Sequence, residues 1–167
     1  MSDQSSFNPE LILKTLAEHE VSYVLIGALA ARLQGFPRMT ADADITPATN
    51  TENLKNLAKA LKKLDARVFT ESVPKGLAFE CTAENLVQSQ LWNFVTSAGR
   101  LDVVFEPIGT SGYEDLMENS VEFEVFDVHL YAAGLEDIIR SKKAADRLQD
   151  RQDIIILREI LKRRSDN

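Results

Sequence analysis

The stretch Val24-Leu25-Ile26-Gly27-Ala28-Leu29-Ala30, followed by Gly35-Phe36-Pro37-Arg38-Met39-Thr40-Ala41-Asp42-Ala43-Asp44, decides how this chain is read. Val21 to Ile26 is β-rich and mostly apolar, the pattern of a buried strand. It ends at Gly27, and Ala28 to Gln34 reads as a short helix stopped by Gly35 and Pro37. A glycine at a helix start lets backbone N–H groups approach a phosphate closely, and the helix dipole favours the anion. Arg38 to Thr46 is short, polar and alternating, which suits a strand with function on one face. Side chains alternate along a strand, so Asp42 and Asp44 project together. Two adjacent carboxylates repel, and one tends to hold a proton unless a cation intervenes. Oxygen-only ligands suit Mg²⁺ or Mn²⁺ rather than zinc. Turns and helix starts use Asp constantly, so the pair alone says little. A third acid strengthens it: Gly99-Arg100-Leu101-Asp102-Val103-Val104-Phe105 places Asp102 at the start of an apolar strand. An aspartate there is unusual unless something neutralises it.

Outward from this stretch, Asn8-Pro9-Glu10 has the form of a helix start, and Leu11, Leu13, Leu16 and Ala17 carry a helical stripe to about Glu20. Thr51 is read as the cap of a helix through Leu64. Arg67 to Thr70 and Leu77 to Cys81 read as short strands, with a helical turn started by Thr82. Leu91 to Thr96 and Leu101 to Phe105 flank Ser97-Ala98-Gly99-Arg100 as a hairpin. Tyr113 to Glu118 is a helical turn, Val121 to Tyr131 one strand, and Leu135 to Ser141 and Asp150 to Arg163 closing helices. The interleaved order predicts an α+β, α/β-like fold in one domain, 1–167. A mixed sheet core spans about 21–131, with helices packed against it and C-terminal helices over about 135–163.

The chain has 167 residues and a net charge of −7, which argues against a general coat for nucleic acid. The charge is uneven: residues 138–167 hold nine Lys or Arg against five acids, leaving −11 elsewhere. That basic segment reads either as a polyanion contact or as a solvated helix with cations near its C-terminal end. A lone cysteine, Cys81, excludes an internal disulfide and fits a reducing compartment, so the expected location is cytoplasmic. No run is long enough to span a bilayer, and no membrane partner is expected. His19 and His129 have no second ligand nearby, so zinc is unsupported. Glu106, before Pro107, reads as a strand-end acid, and Trp92 as packing.

The two quoted runs, with Leu101-Asp102-Val103 after them, resemble the opening of the DNA-polymerase-β-type nucleotidyltransferase superfamily. More narrowly they resemble its bacterial branch of abortive-infection (AbiEii-like) toxins and uncharacterised nucleotidyltransferase-like proteins. Glu136-Asp137-Ile138-Ile139, Ser141-Lys142, Arg147 and Asp150-x-x-Asp153 follow that branch's C-terminal order. The resemblance implies a nucleotidyltransferase fold and transfer of a nucleoside monophosphate from an NTP to an acceptor hydroxyl, with Asp42, Asp44 and Asp102 as catalytic acids holding Mg²⁺ or Mn²⁺. Asp102 then stands on the attacking side. It implies nucleotide contacts from Gly27, Ala28, Arg38, Thr40 and Lys142, an acceptor among RNA, protein and small molecules, and, for a toxin, an antitoxin-like partner. The turn departs from the superfamily pattern: Gly27-Ala28 replaces the Gly-Ser whose hydroxyl helps hold phosphate, leaving backbone amides with Arg38 or Thr40 to substitute. A catalytically weak nucleotide-binding protein on the same fold is therefore the alternative.

Lys142 and Arg147 lie five residues apart, diverging by about 140° on an unbroken helix. Lys142 is assigned to phosphate and Arg147 to a structural carboxylate such as Asp150. Asp150 and Asp153 are expected to pair with Arg147 or Arg151, and an RNA acceptor is expected to meet Arg140, Lys143 and Arg151.

Overall fold

The computed structural model describes residues 6–167. Its centre is a seven-stranded mixed sheet in the order β3-β4-β5-β2-β1-β7-β6. The strands are β1 (Tyr23–Ile26), β2 (Asp42–Pro47), β3 (Arg67–Val68), β4 (Leu91–Thr96), β5 (Gly99–Val104), β6 (Val121–Val125) and β7 (Val128–Ala132). The helices are α1 (Pro9–Glu18), α2 (Gly27–Leu33), α3 (Thr51–Lys63), α4 (Ala83–Leu86), α5 (Tyr113–Glu118), α6 (Leu135–Ala145) and α7 (Leu148–Ser165). This is the α+β architecture expected.

β1 and β2 are antiparallel, while β2 pairs parallel with β5 and β1 parallel with β7. Ala43 and Ile45 of β2 and Leu101 and Val103 of β5 are fully buried. They join Ile12, Leu16, Leu57 and Leu61 from α1 and α3 in one apolar core. Fully burying an aliphatic side chain contributes about 1.5–3 kcal/mol, so the register of β2 and β5 is strongly specified. A slip by one residue would put the aspartates in this core. Asn53 ties the layers together: its amide accepts from the Ser22 N–H and donates to the Ser22 and Ala48 carbonyls, at 2.7, 2.8 and 2.8 Å. Among the described residues no helix is long and apolar enough to cross a membrane.

Several elements differ from their sequence reading. The cap of α3 is Asn50, whose side chain accepts from the Asn53 N–H at 2.9 Å, because Asn accepts there as well as Thr and lies one residue earlier. Strand β2 starts at Asp42, so Arg38 to Ala41 form the approach to the sheet. Strand β5 starts at Gly99, which makes Asp102 a mid-strand residue. Leu77 to Cys81 contributes only a single bridge, Val68 to Leu77. Val121 to Tyr131 is a hairpin: Phe126 and Asp127 adopt φ of 53° and 61° and close a tight turn between β6 and β7. Two consecutive left-handed residues match the right-handed strand twist, but Phe at the first position hides the turn from composition. The last helix starts at Leu148, two residues before the expected Asp150, because Asp146 takes a left-handed conformation (φ 50°) and ends α6.

Candidate functional site

Strand alternation carries the acids out of the core and register brings them together. In the β2–β5 pair Asp44 lies opposite Asp102 and Asp42 opposite Arg100. On the other flank Ile26 of β1 lies opposite Asp44, which drops the next residue, Gly27, onto the same carboxylate. Gly27 has φ of +70°, and a β-carbon there would collide with Asp44 Oδ2. Glycine is needed both for backbone conformation and for close approach.

One carboxylate oxygen from each of Asp42, Asp44 and Asp102 lies within 4.8 Å of the others. Thr40 Oγ1 stands 3.0 Å from Asp42 Oδ1 and accepts the Asp42 N–H at 3.3 Å, orienting that acid. Burial raises the Asp44 carboxyl to about 8, with the charges of Asp42 and Asp102 acting in the same direction and Arg100 opposing. Burial also raises Asp102, against the pull of its hydrogen bond to Asp44 and of Arg100. Without a cation the Asp44–Asp102 pair thus retains a proton near neutrality. Asp102 Oδ1 is buried with no hydrogen-bond partner among the described residues. Three converging hard oxygens, two of them on carboxyls that burial holds back from ionising, are a donor set that fits Mg²⁺ or Mn²⁺.

A cleft of about 500 Å³ opens over Asp44 and Asp102, lined also by Gly27, Asn93, Lys142 and Arg147 among others. Both cations reach it because the break at Asp146 cancels the divergence an unbroken helix imposes. Arg147 Nε donates to Asp150 Oδ2 at 3.0 Å, and Asp150 Oδ2 also accepts the Arg147 N–H at 3.1 Å. Lys142 Nζ lies 3.0 Å from Asp153 Oδ2 and 3.5 Å from Asp150 Oδ1. Arg38, expected at phosphate, meets Asp153 at 2.7 Å and so ties the β2 approach to α7. The pairing expected of Arg151 is corrected: it holds Asp146 at 2.7 Å, while Asp153 takes Arg38, Lys142 and Gln149. Ala28 sits half-buried at the turn, offering only backbone. Glu106 lines the cleft but lies outside the three-acid cluster.

Two residues here escaped the sequence reading. Asn93 of β4 lies opposite Asp102 and lines the cleft; its signal was a lone amide in an otherwise apolar run. Arg100 stands opposite Asp42, its guanidinium carbon 3.7 Å from the Phe69 ring centre and one terminal nitrogen 3.7 Å from Asp102 Oδ1. Its signal was the period-two spacing to Asp102.

Residues 10–164 match the model of a family described as nucleotidyltransferase of unknown function (DUF6036). The chain belongs to this family, and is a nucleotidyltransferase in family and in fold. Similar solved structures include the lincosamide antibiotic adenylyltransferase LnuA in its lincomycin-bound form, at 16% identity over 93% of this chain and 99% of that one, TM-score 0.60. A Thermotoga maritima protein provisionally described as a nucleotidyltransferase aligns at 17% identity over 98% and 99%, TM-score 0.53. The antibiotic-resistance factor ANT(2″)-Ia aligns at 16% identity over 94% and 90%, TM-score 0.51. These likenesses establish the shared fold. No curated protein matches the chain in sequence.

Proposed function

We propose that this family member transfers a nucleoside monophosphate from an NTP to an acceptor hydroxyl and releases pyrophosphate, with Asp42, Asp44 and Asp102 as the acids of the reaction. The observation that carries the reading is the convergence of three carboxylate oxygens within 4.8 Å beside the Gly27 turn. Bound Mg²⁺ or Mn²⁺ would neutralise charge on the transferring phosphoryl group. Asp42 and Asp44 would hold the ion from β2, and Thr40 fixes the orientation of Asp42. The Gly27 turn, which packs on Asp44 where no β-carbon would fit, would offer backbone N–H groups to the triphosphate. Lys142 and Arg147 place positive charge along the same cleft. Asp102, from β5, lines the cleft and takes the proton of the attacking hydroxyl. Phosphoryl transfer depends on positioning and charge neutralisation rather than on a covalent nucleophile, and the site has this character.

The narrower branch resemblance extends the proposal to a cytoplasmic toxin with an antitoxin-like partner; growth arrest on expression, relieved by the product of a neighbouring gene, is its test. The missing hydroxyl at Ala28 favours the second reading, a protein that binds nucleotide and barely turns over. Incubation with each labelled NTP, Mg²⁺, total cell RNA and protein separates the two. Label transfer lost in Asp44→Asn is the expected result. A nucleotide-dependent rise in Tm with no transfer selects the second reading, and neither signal rejects both.

A further inference from the structure

A second groove, of about 780 Å³, lies on the β3 side of the acids. It is lined by Phe7, Arg67, Phe69, Lys75 and Arg100 among others, and reaches Ala41, the neighbour of Asp42. Register explains its direction. Arg67 of β3 lies opposite Val95 of β4, Val95 opposite Arg100 of β5, and Arg100 opposite Asp42 of β2. Residues in register across neighbouring strands share a face, so this row runs from the acids to the sheet edge. At about 4.8 Å per strand it covers roughly 14 Å.

The cations of this row are available. Arg100 rests on Phe69, its Nε is buried without a partner among the described residues, and its 3.7 Å approach to Asp102 is too long for a hydrogen bond. Arg67 donates Nε to the Gly76 carbonyl at 3.1 Å, and neither it nor Lys75 has a carboxylate partner among the described residues. Among the described residues Asp65 is the one acid lining the groove. Of the C-terminal cations assigned in sequence to RNA, Lys143 lines a separate surface pocket with Arg140 and Arg158, and the other two are ion-paired. Arg140 is held by Asp115 at 2.9 Å and Asp137 at 3.0 Å, and Arg151 by Asp146. Arg67, Lys75 and Arg100 thus line the groove on the side of the acids away from Lys142 and Arg147, none with a carboxylate at hydrogen-bonding distance among the described residues.

We propose that this groove holds the acceptor, and that the acceptor is a nucleotide end: a phosphate beside a free terminal hydroxyl, as on an RNA strand or a mononucleotide. The inference rests on the nucleotidyl-transfer reading above and specifies its substrate. Cations interleaved with the aromatic and apolar surfaces of Phe7, Phe69 and Val95 suit phosphate and base together. A polycationic acceptor would be repelled from the same surface. The terminal hydroxyl oxygen bonds to the α-phosphorus of the NTP, the bond from that phosphorus to the β-phosphate oxygen breaks, and pyrophosphate leaves with the electron pair. The hydroxyl proton passes to Asp102.

The test compares the full chain with R67E/K75E and with K55E/K59E, which makes the same charge change on exposed positions of α3. A fluorescent RNA oligonucleotide with a free 3′ hydroxyl is titrated at two salt concentrations, with AMP as competitor, alongside the Mg²⁺–NTP rise in Tm. The expected result is RNA binding that weakens with salt and falls roughly tenfold in R67E/K75E, changes less than threefold in K55E/K59E, and leaves the NTP rise intact in both. Lys75→Glu alone, on an exposed loop, gives a smaller loss and covers the case in which the double variant is unstable. Label transfer to the 3′ end assigns the strand as source; transfer to AMP at equal efficiency assigns the mononucleotide. Equal RNA binding by the two double variants, or transfer to protein alone, overturns the groove assignment while the NTP signal stands. Absence of the NTP signal in the unmodified chain instead overturns the transfer reading.

Discussion

The C-terminal helices and the β3–β5 edge both carry clustered cations, and the two clusters behave oppositely. Along α6 and α7, Arg140, Lys142, Arg147 and Arg151 each face a carboxylate, and Asp150 and Asp153 are almost completely buried. There the positive charge holds the helices together and holds α7 to the approach of β2. At the β3–β5 edge fewer cations stand nearly unopposed along a groove. Counting charges along a chain ranks the first region as the anion contact. Pairing in three dimensions ranks the second, because a cation already bonded to a carboxylate must break that bond before it serves a phosphate.

The largest expected effect lies between the two regions. Asp44→Asn should lower transfer by about 10³-fold, the upper end for losing one preorganised electrostatic group, and should remove the nucleotide-dependent rise in Tm. Retained transfer would detach both cation clusters from a common centre. Next comes the contrast in stability. Asp153→Ala leaves Arg38 and Lys142 without their shared carboxylate and should cost about 3 kcal/mol in urea unfolding. Arg67→Gln, at an exposed position, should cost less than about 0.5 kcal/mol. Similar losses from both would erase the distinction between structural and available charge.

The pH dependence sharpens it further. The Asp44 carboxyl is raised in the folded chain to about 8 from an unfolded value near 4. The folded state therefore binds the extra proton, and this group's contribution is complete below pH 4 and lost as pH rises towards 8. The metal-free chain should lose stability across that window, Asp44→Asn should flatten the loss, and Mg²⁺ should raise Tm more at pH 8 than at pH 5. A flat profile in the unmodified chain would mean that Asp44 is not held in a buried, like-charged setting. Smallest is Ala28→Ser: a restored hydroxyl should tighten NTP binding by about fivefold, roughly one hydrogen bond of 1 kcal/mol, with RNA binding unchanged.

Much of this was legible before the fold. The run from Val24 to Asp44 announced strand, tight turn, helix and a paired-acid strand, because glycine, proline and period-two alternation each have a local cause. Tyr113 to Glu118 came out as read, and the β4–β5 hairpin with its turn shorter than expected. The β6–β7 hairpin did not, since a bulky residue such as Phe126 seldom adopts the left-handed conformation this turn requires. The turn at Asp146 was hidden in the same way, and with it the placement of both Lys142 and Arg147 on one cleft.

The sequence by itself determined the class of fold and that Asp42 and Asp44 share a face, because these follow from short-range periodicity and residue chemistry, and its resemblance carried the nucleotidyltransferase superfamily. Only the tertiary structure decided that Asp102 stands opposite Asp44, that Gly27 closes on that same carboxylate, and which cations bind a carboxylate closely. Those are consequences of strand register and helix docking, which join residues tens of positions apart through a core that no local pattern specifies.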